Sequence, residues 1–320
     1  MKKSFLFLLI LFLPLVSSGQ LKNEEPEWYL RTADGCSLFV KEYGRGADTL
    51  VILHGGWGAE HSYLLNAMKG LDDDYHLVFY DQRGSLRSAC PDSLVSVQNH
   101  INDLEELRKE LNLGKLNLVG HSVGTTLAMA YLDAHPDKVR GLVLVSVSAP
   151  RSPTTPEEKR LIEKQRQAKK AWFEREEVMS TLKEHGLDKP MDEMSDKELS
   201  YYYRIMFAGA NLYDMDKWKL DKGGFAFFNS SAGRKAKESM PPDYNYMPAL
   251  SRHNCPVWML EGSHDFGPLT VEYHRLWSGK IPNIHLVEID KAGHSIWIDQ
   301  PVDFQKALKT ALASSVGCNE

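Results

Sequence analysis

The sequence feature that most constrains the fold is a buried strand that turns directly into a helix at residues 118–129, LVGHSVGTTLAM. The segment begins with apolar residues typical of a buried strand and continues as small residues typical of a helix, which ends before Pro136. Between these parts, Gly120 and Gly124 flank Ser122. So tight a turn forces the serine into a strained backbone conformation, and side chains at the two glycine positions would collide with neighbouring backbone.

Other apolar runs of buried-strand length alternate with helical patterns, which indicates a parallel sheet with helical crossovers. Before the first run, two strand-like segments flank Asp34-Gly35, a dipeptide typical of a tight hairpin turn. Leucines and an isoleucine recur at helical spacing in residues 101–111, as expected for a helix that covers one face of a sheet. The predicted strands occupy residues 49–54, 77–81, 115–120, 141–148, 256–262 and 284–290.

This alternation stops at about residue 150, where a long helical segment begins. Thr155 with Glu158, and Ser195 with Glu198, have the spacing of capping boxes, which satisfy helix-terminal amides reciprocally. We therefore expect an α/β fold: a mostly parallel central sheet flanked by helices, with a helical cap inserted after the sixth strand. The predicted parts are a signal peptide (residues 1–19), a core (residues 20–150 and 253–320) and a cap (residues 151–252), hereafter the helical insertion.

The N-terminal residues have the pattern of a secretory signal peptide. Lys2 and Lys3 precede an apolar stretch at residues 5–16, and the small residues after it permit cleavage near Gly19. The stretch is too short to span a membrane and is interrupted by Pro14. We therefore predict a protein exported to the periplasm or the medium, with no stable membrane span.

The charge distribution indicates no macromolecular partner. The formal net charge is -5, from 38 basic and 43 acidic residues, and no long block of one sign is present that would bind nucleic acid or an anionic membrane. We expect no nucleic-acid partner, and the oligomeric state stays open.

The cysteines indicate neither a metal site nor a redox motif. Cys36, Cys90, Cys255 and Cys318 are widely spaced, with no Cys-x-x-Cys pair or histidine cluster nearby. We therefore predict no metal and no cofactor. In an exported chain disulfides are permitted, and the spacing does not choose among the possible pairings or against free thiols.

Three polar residues at the ends of predicted strands form a candidate catalytic group. Ser122 follows one strand, Asp265 follows the next-to-last strand, and His294 follows the last. A serine hydroxyl needs a base to become a nucleophile, and the base needs a carboxylate to fix its tautomer. The chain order Ser, Asp, His on a strand-turn-helix scaffold therefore predicts a catalytic triad. Asp290 is the alternative acid, and His121 is expected to take no part.

A glycine-rich turn supplies the other part of an acyl-transfer site. The segment LHGGWG at residues 53–58 ends a predicted strand, and its adjacent glycines let the backbone approach a substrate. We expect the amide of Gly56 or Trp57, together with that of Val123, to stabilise an oxyanion.

Together these motifs resemble the α/β-hydrolase superfamily over nearly the whole chain after the signal peptide. The segments HGGWG, YDQRGSLRS and GHSVGTTLAMAYLDAHPDKVRGLVLVS are similar to the proline iminopeptidase branch, although Trp57 and Leu86 replace a proline and a glycine of that pattern. The resemblance implies a serine hydrolase that removes N-terminal residues from peptides. It also implies a cap that recognises the substrate's free amine through acidic side chains.

Within the helical insertion, Glu174 and Trp172 are the candidate substrate-binding residues, with a solvated helix face as the alternative interpretation of Glu174. Two other functions stay open for the chain. A Gly-His-Ser-x-Gly turn is also typical of carboxylic ester hydrolases that act on small apolar acyl groups, and a hydrolase homologue can bind a small ligand without turnover.

Overall fold

The computed structural model describes residues 26–221, 228–267 and 270–318. The predicted signal peptide lies outside these residues. Among the described residues, no helix is both long enough and apolar enough to cross a bilayer.

In the described part of the chain, eight strands form one sheet in the order β1-β2-β4-β3-β5-β6-β7-β8. The first two strands form the predicted hairpin, in which Gly35 has a φ of +90°. β2 also pairs antiparallel with β4, and all further pairs are parallel, which confirms the predicted sheet. The strands are β1 Glu27–Arg31, β2 Ser37–Tyr43, β3 Asp48–Leu53, β4 Tyr75–Tyr80, β5 Leu116–His121, β6 Val139–Val145, β7 Val257–Gly262 and β8 Ile284–Ile289.

Helices cover both faces of the sheet because the side chains of each strand alternate between the faces. In β3, Val51 packs into the cluster beneath α2 and α3, whereas Ile52 packs into the cluster beneath α1 and α11. The helices are α1 Leu64–Ala67, α2 Val97–Glu110, α3 Val123–Ala134, α4 Pro156–Phe173, α5 Glu176–Glu184, α6 Asp196–Asn211, α7 Ser230–Glu238, α8 Met247–Arg252, α9 Thr270–Ser278, α10 Ile296–Asp299 and α11 Pro301–Val316.

The helices α4 to α8 lie between β6 and β7, where the sequence predicts an insertion after the sixth strand. Both predicted capping boxes are present, at the start of α4 and at the start of α6. The Arg175 guanidinium joins the two helices because it donates to the carbonyls of Trp172 and Gly209. The helical insertion also contacts the end of the sheet: Ser295 donates its amide to the carbonyl of Asn211, at the end of α6, over 3.0 Å.

The structure resolves the cysteine pairing that the spacing left open. Cys36, next to β2, is bonded to Cys90, and Cys255, before β7, is bonded to Cys318, after α11. The second bond therefore fixes the last helix to the strand that precedes Asp265.

Candidate active site

The predicted turn around Ser122 joins β5 directly to α3. Ser122 has a φ of 53° and a ψ of -122°, a region that L-residues rarely adopt, and its amide donates to the Val145 carbonyl over 3.0 Å. A Cβ on Gly120 would lie 2.7 Å from the Gly124 oxygen, and one on Gly124 would lie 2.2 Å from the Leu53 oxygen. The close approach of these backbones therefore requires both glycines, as the sequence indicates.

His294 and Asp265 meet at the same edge of the sheet. Nδ1 of His294 lies 2.7 Å from Oδ1 of Asp265, and both side chains are buried. An acidic partner at Nδ1 holds the hydrogen on that nitrogen, which leaves Nε2 as an acceptor for a proton. Asp265 thus has the geometry that the sequence assigns to it, and Asp290 is not hydrogen-bonded to His294 among the described residues.

Ser122 and His294 line one cavity of about 190 Å³. Among the described residues, no hydrogen bond joins the Ser122 hydroxyl to His294; such bonds are often long in unliganded hydrolases and tighten when substrate binds. The walls are mostly apolar, and part of them comes from the helical insertion. The other residues that line the cavity are Gly55, Gly56, Ala59, Tyr63, His121, Phe207, Asn211, Phe228, Phe266 and Ser295.

The glycine-rich turn after β3 borders this cavity. Gly56 has a φ of +66° and lines the cavity, whereas the indole of Trp57 is buried elsewhere and stacks on His100. Among the described residues, the Gly56 and Trp57 amides donate no hydrogen bond to the protein. Val123 is the first residue of α3, so its amide lies at a helix N-terminus, where negative charge is stabilised.

A hydrogen-bonded chain, which the sequence did not reveal, connects the turn after β3 to the His294 loop. The Gly55 amide donates to the Tyr63 hydroxyl over 2.6 Å, and that oxygen lies 2.7 Å from Nδ1 of His121. Nε2 of His121 lies 3.3 Å from the carbonyl oxygen of His294. Burial holds the pKa of His121 well below its usual value, so the ring is neutral: it accepts from Tyr63 and donates to His294.

The two predicted substrate-binding residues lie outside the Ser122 cavity. Glu174 is exposed at the end of α4. The Arg175 guanidinium lies over the Trp172 ring, with its carbon 3.9 Å from the ring centroid. Trp172 also lines a separate cavity of about 660 Å³. The aromatic residues that line the Ser122 cavity are instead Phe207, Phe228 and Phe266, together with Tyr63.

A buried carboxyl group of the helical insertion, Asp221, also lies near this site. Its side chain is 6% exposed, and Oδ2 has no hydrogen-bond partner among the described residues. Burial raises the pKa of Asp221 to about 7. Burial is the main cause that raises the pKa of Tyr63, whose hydroxyl borders the cavity, and the charge of Asp221 adds a smaller contribution in the same direction. Asp221 thus lies close enough to the Ser122 cavity to act electrostatically on one of the residues that line it.

Glu60, His61 and Asp81 form the one cluster with metal-ligating potential in the described residues, with candidate ligand atoms within 4.8 Å of one another. Arg87 donates to the Asp81 carboxylate over 2.8 Å and to the Glu60 carboxylate over 2.9 Å. The guanidinium thus supplies the positive charge that a metal ion would otherwise bring, and the cluster is an ion-pair network beneath the turn after β3.

The sequence profile of the alpha/beta hydrolase fold matches residues 48–301. The chain therefore belongs to the α/β-hydrolase family. It is 29% identical to the proline iminopeptidase of Lactobacillus acidophilus over 230 residues, which cover 68% of this chain and 74% of that protein. It is 34% identical to the proline iminopeptidase of Saccharolobus solfataricus over 154 residues, which cover 47% of this chain and 50% of that protein.

Two solved structures share the fold. A proline iminopeptidase-related protein of Thermus thermophilus aligns with a TM-score of 0.64 at 21% identity, over 92% of this chain and 99% of its own. An esterase of Exiguobacterium antarcticum aligns with a TM-score of 0.61 at 20% identity, over 89% of this chain and 99% of its own. The fold and family predictions are thus confirmed.

Proposed function

We propose that this protein is a serine hydrolase whose triad is Ser122, His294 and Asp265. The observation that carries the proposal is the cavity lined by both Ser122 and His294, with Asp265 hydrogen-bonded to the far nitrogen of the imidazole. In this mechanism His294 removes the hydroxyl proton, Ser122 attacks the carbonyl carbon, and His294 then protonates the leaving group. In the second step His294 removes a proton from water, the water attacks the acyl-enzyme, and His294 returns the proton to Ser122 as the acid product leaves.

The oxyanion of each tetrahedral intermediate is stabilised by the Val123 amide and by the amide of Gly56 or Trp57. The support is their position: Gly56 lines the cavity, and Val123 begins the helix that follows the nucleophile. Donors that are fixed before the reaction stabilise the charge as it develops, and losing one costs roughly a hundredfold or more in turnover.

The substrate is a peptide with a free N-terminus, from which the enzyme removes a small apolar residue such as proline. Similarity to proline iminopeptidases supports this assignment, and so does a cavity of about 190 Å³ with mostly apolar walls. The helical insertion acts as a cap, because Phe207, Asn211 and Phe228 close the cavity from that side. Asp221, which is buried in the helical insertion and does not line the cavity, is our candidate partner for the substrate's ammonium group, because one of its oxygens is unpaired among the described residues.

The test is kcat/KM on prolyl arylamides with free and acetylated amines, beside short-chain aryl esters. We expect cleavage of the free-amine arylamide, at least a hundredfold slower cleavage after acetylation, and loss of nearly all activity in Ser122→Ala. Activity in Ser122→Ala equal to that of the parent would refute the triad. Equal rates on free and acetylated amines would refute the aminopeptidase and leave the triad standing.

One observation favours a second candidate, a carboxylic ester hydrolase with small apolar acyl substrates. Among the described residues that line the Ser122 cavity, none carries a carboxylate to receive an amine. Cleavage of aryl esters without cleavage of any arylamide would favour this candidate.

We also propose that the protein is exported after cleavage near Gly19. The bonds Cys36–Cys90 and Cys255–Cys318 support export, because disulfides persist in oxidising compartments. N-terminal sequencing of the native protein is the test, and a chain that retains Met1 would contradict it.

A further inference from the structure

A second cavity, of about 370 Å³, adjoins the Ser122 cavity on the side of α4 and α9. We call it the Lys169 cavity. Phe266, the residue after Asp265, lines both cavities and therefore lies where they meet. Ile162 and Tyr273 give the Lys169 cavity an apolar part, and Gln165 and Thr270 add polar groups.

The charged residues that line this cavity are all basic, namely Arg166, Lys169 and His274. Two of them have acidic partners outside the lining. Arg166 donates to the Glu163 carboxylate over 2.9 Å, and Nδ1 of the buried His274 lies 2.9 Å from Oε1 of Glu261. Lys169 is paired with no carboxylate within the described part of the chain. It therefore gives the cavity an excess of positive charge.

The surroundings of Lys169 increase its attraction for an anion. The side chain projects from α4 and is partly buried, and burial lowers the pKa of Lys169 while the nearby Asp265 opposes that change. Its Nζ lies 3.7 Å from the centroid of the Phe266 ring. Nζ also lies 5.4 Å from the centroid of the Phe173 ring. A partly dehydrated cation whose neighbours are aromatic faces gains from a carboxylate that completes its coordination.

Distances relate this cation to the reacting group. The centroid of the Phe266 ring lies 4.0 Å from the centroid of the His294 ring. The same Phe266 centroid lies 3.7 Å from Nζ of Lys169. Each spacing is close to the length of one extended residue, roughly 3.3–3.6 Å. A leaving group of one or two residues thus has the length to carry its C-terminal carboxylate from the scissile bond to Lys169.

We propose that the Lys169 cavity binds the C-terminal carboxylate of short peptide substrates, so that the enzyme prefers di- and tripeptides with a free C-terminus and an apolar residue after the scissile bond. This specificity rests on the proposed aminopeptidase function. The anion site itself does not, because its cation, its apolar wall and its volume are independent of the reaction at Ser122.

The kinetic test compares the dipeptide Pro-Phe with its C-terminal amide. We expect the parent to prefer the free acid. Lys169→Met should lower kcat/KM on the acid by roughly 10- to 100-fold, the range for a hydrogen bond to a charged group, and change the amide by less than about twofold. Lys170→Met, at the exposed neighbouring position, is the matched control and should change neither. An equal loss on both substrates in Lys169→Met, or no loss on either, overturns the proposal, since the lysine then only packs α4 against Phe266.

A binding measurement separates this proposal from the proposed function. Calorimetry with 3-phenylpropionate and 3-phenylpropionamide, on the parent and on Lys169→Met, requires no turnover. Binding of the acid alone, lost in the variant, supports the anion site even if no peptide is cleaved, in which case the aminopeptidase is the part that is wrong. Cleavage of peptides by a protein that binds neither compound refutes the anion site and leaves the proposed function intact.

Discussion

Replacing Asp221 by asparagine should stabilise the protein at high pH. The carboxyl group is buried, and burial raises its pKa from 3.8 to about 7. At a pH between these two pKa values, Asp221 is protonated in the folded protein and ionised in the unfolded chain. Stability therefore falls as pH rises from about 4 to 7, and the full penalty is present above pH 7.

The magnitude follows from the two pKa values. Raising the pKa from 3.8 to about 7 corresponds to about 4 kcal/mol at high pH, at 1.36 kcal/mol for each pKa unit. Because part of this penalty is already present at pH 5, the free energy of unfolding should fall by about 2–3 kcal/mol between pH 5 and pH 8.5 through this group alone. Asp221→Asn keeps the shape of the side chain and removes the ionisation.

The assay is urea unfolding of the oxidised protein at pH 5 and pH 8.5, followed by tryptophan fluorescence. The stability gain of Asp221→Asn over the parent should be about 2–3 kcal/mol larger at pH 8.5 than at pH 5. Asp216→Asn, at an exposed position of the same segment, is the control and should show no such difference. A gain of equal size at both pH values would refute the assigned titration of Asp221.

Three further substitutions test other contacts. Tyr63→Phe removes the hydroxyl that joins the Gly55 amide to His121, so kcat should fall up to about tenfold while KM changes by less than about twofold, as steady-state kinetics would show. Gly124→Ala places a Cβ 2.2 Å from the carbonyl oxygen at the end of β3, so unfolding measurements should show a loss of about 2–3 kcal/mol or more. Cys318→Ser opens a loop of 63 residues, which should cost about 4 kcal/mol in the chain-entropy description.

Each of these predictions has an outcome that contradicts it, and the first two have a control variant. Tyr29→Phe, at an exposed tyrosine, should leave kcat unchanged; a rise in KM alone in Tyr63→Phe would contradict a positioning role. Gly114→Ala, where a Cβ meets open space, should be tolerated, and equal stability of the two alanine variants would contradict the predicted collision at the turn around Ser122. An unchanged free energy of unfolding in Cys318→Ser would contradict the predicted cost of losing the Cys255–Cys318 bond.

The predictable parts of the molecule are those that local sequence determines. The glycines around Ser122, the capping boxes of the helical insertion and the positions of Asp265 and His294 after strands all depend on neighbouring residues. Phe266 could not be recognised as a wall of two cavities, because its role depends on the packing of α4 against the loop after β7. Likewise, the hydrogen bond from Tyr63 to His121 joins residues far apart in the chain.

The prediction for Glu174 shows why a cap is harder to interpret than a core. An acidic residue among aromatics is compatible with an amine site, but only the direction of the end of α4 decides whether it faces a cavity or solvent, and it faces solvent. A helix presents every direction within one turn, whereas a strand presents only two. The residue pattern therefore predicts well which side chains lie on each face of the sheet. It predicts poorly which side chains of the helical insertion face a cavity.

The helical insertion places two buried or partly buried charges near the proposed catalytic residues, and each is costly without a partner. Asp221 acts on Tyr63, Lys169 contacts Phe266, and both of these aromatic residues line the Ser122 cavity. Where Asp221 is ionised, which its raised pKa places above about pH 7, a neutral ester would leave both charges uncompensated on binding. A short peptide carries an ammonium group at one end and a carboxylate at the other, so a single substrate of that class would neutralise both, which is why we favour it over an ester.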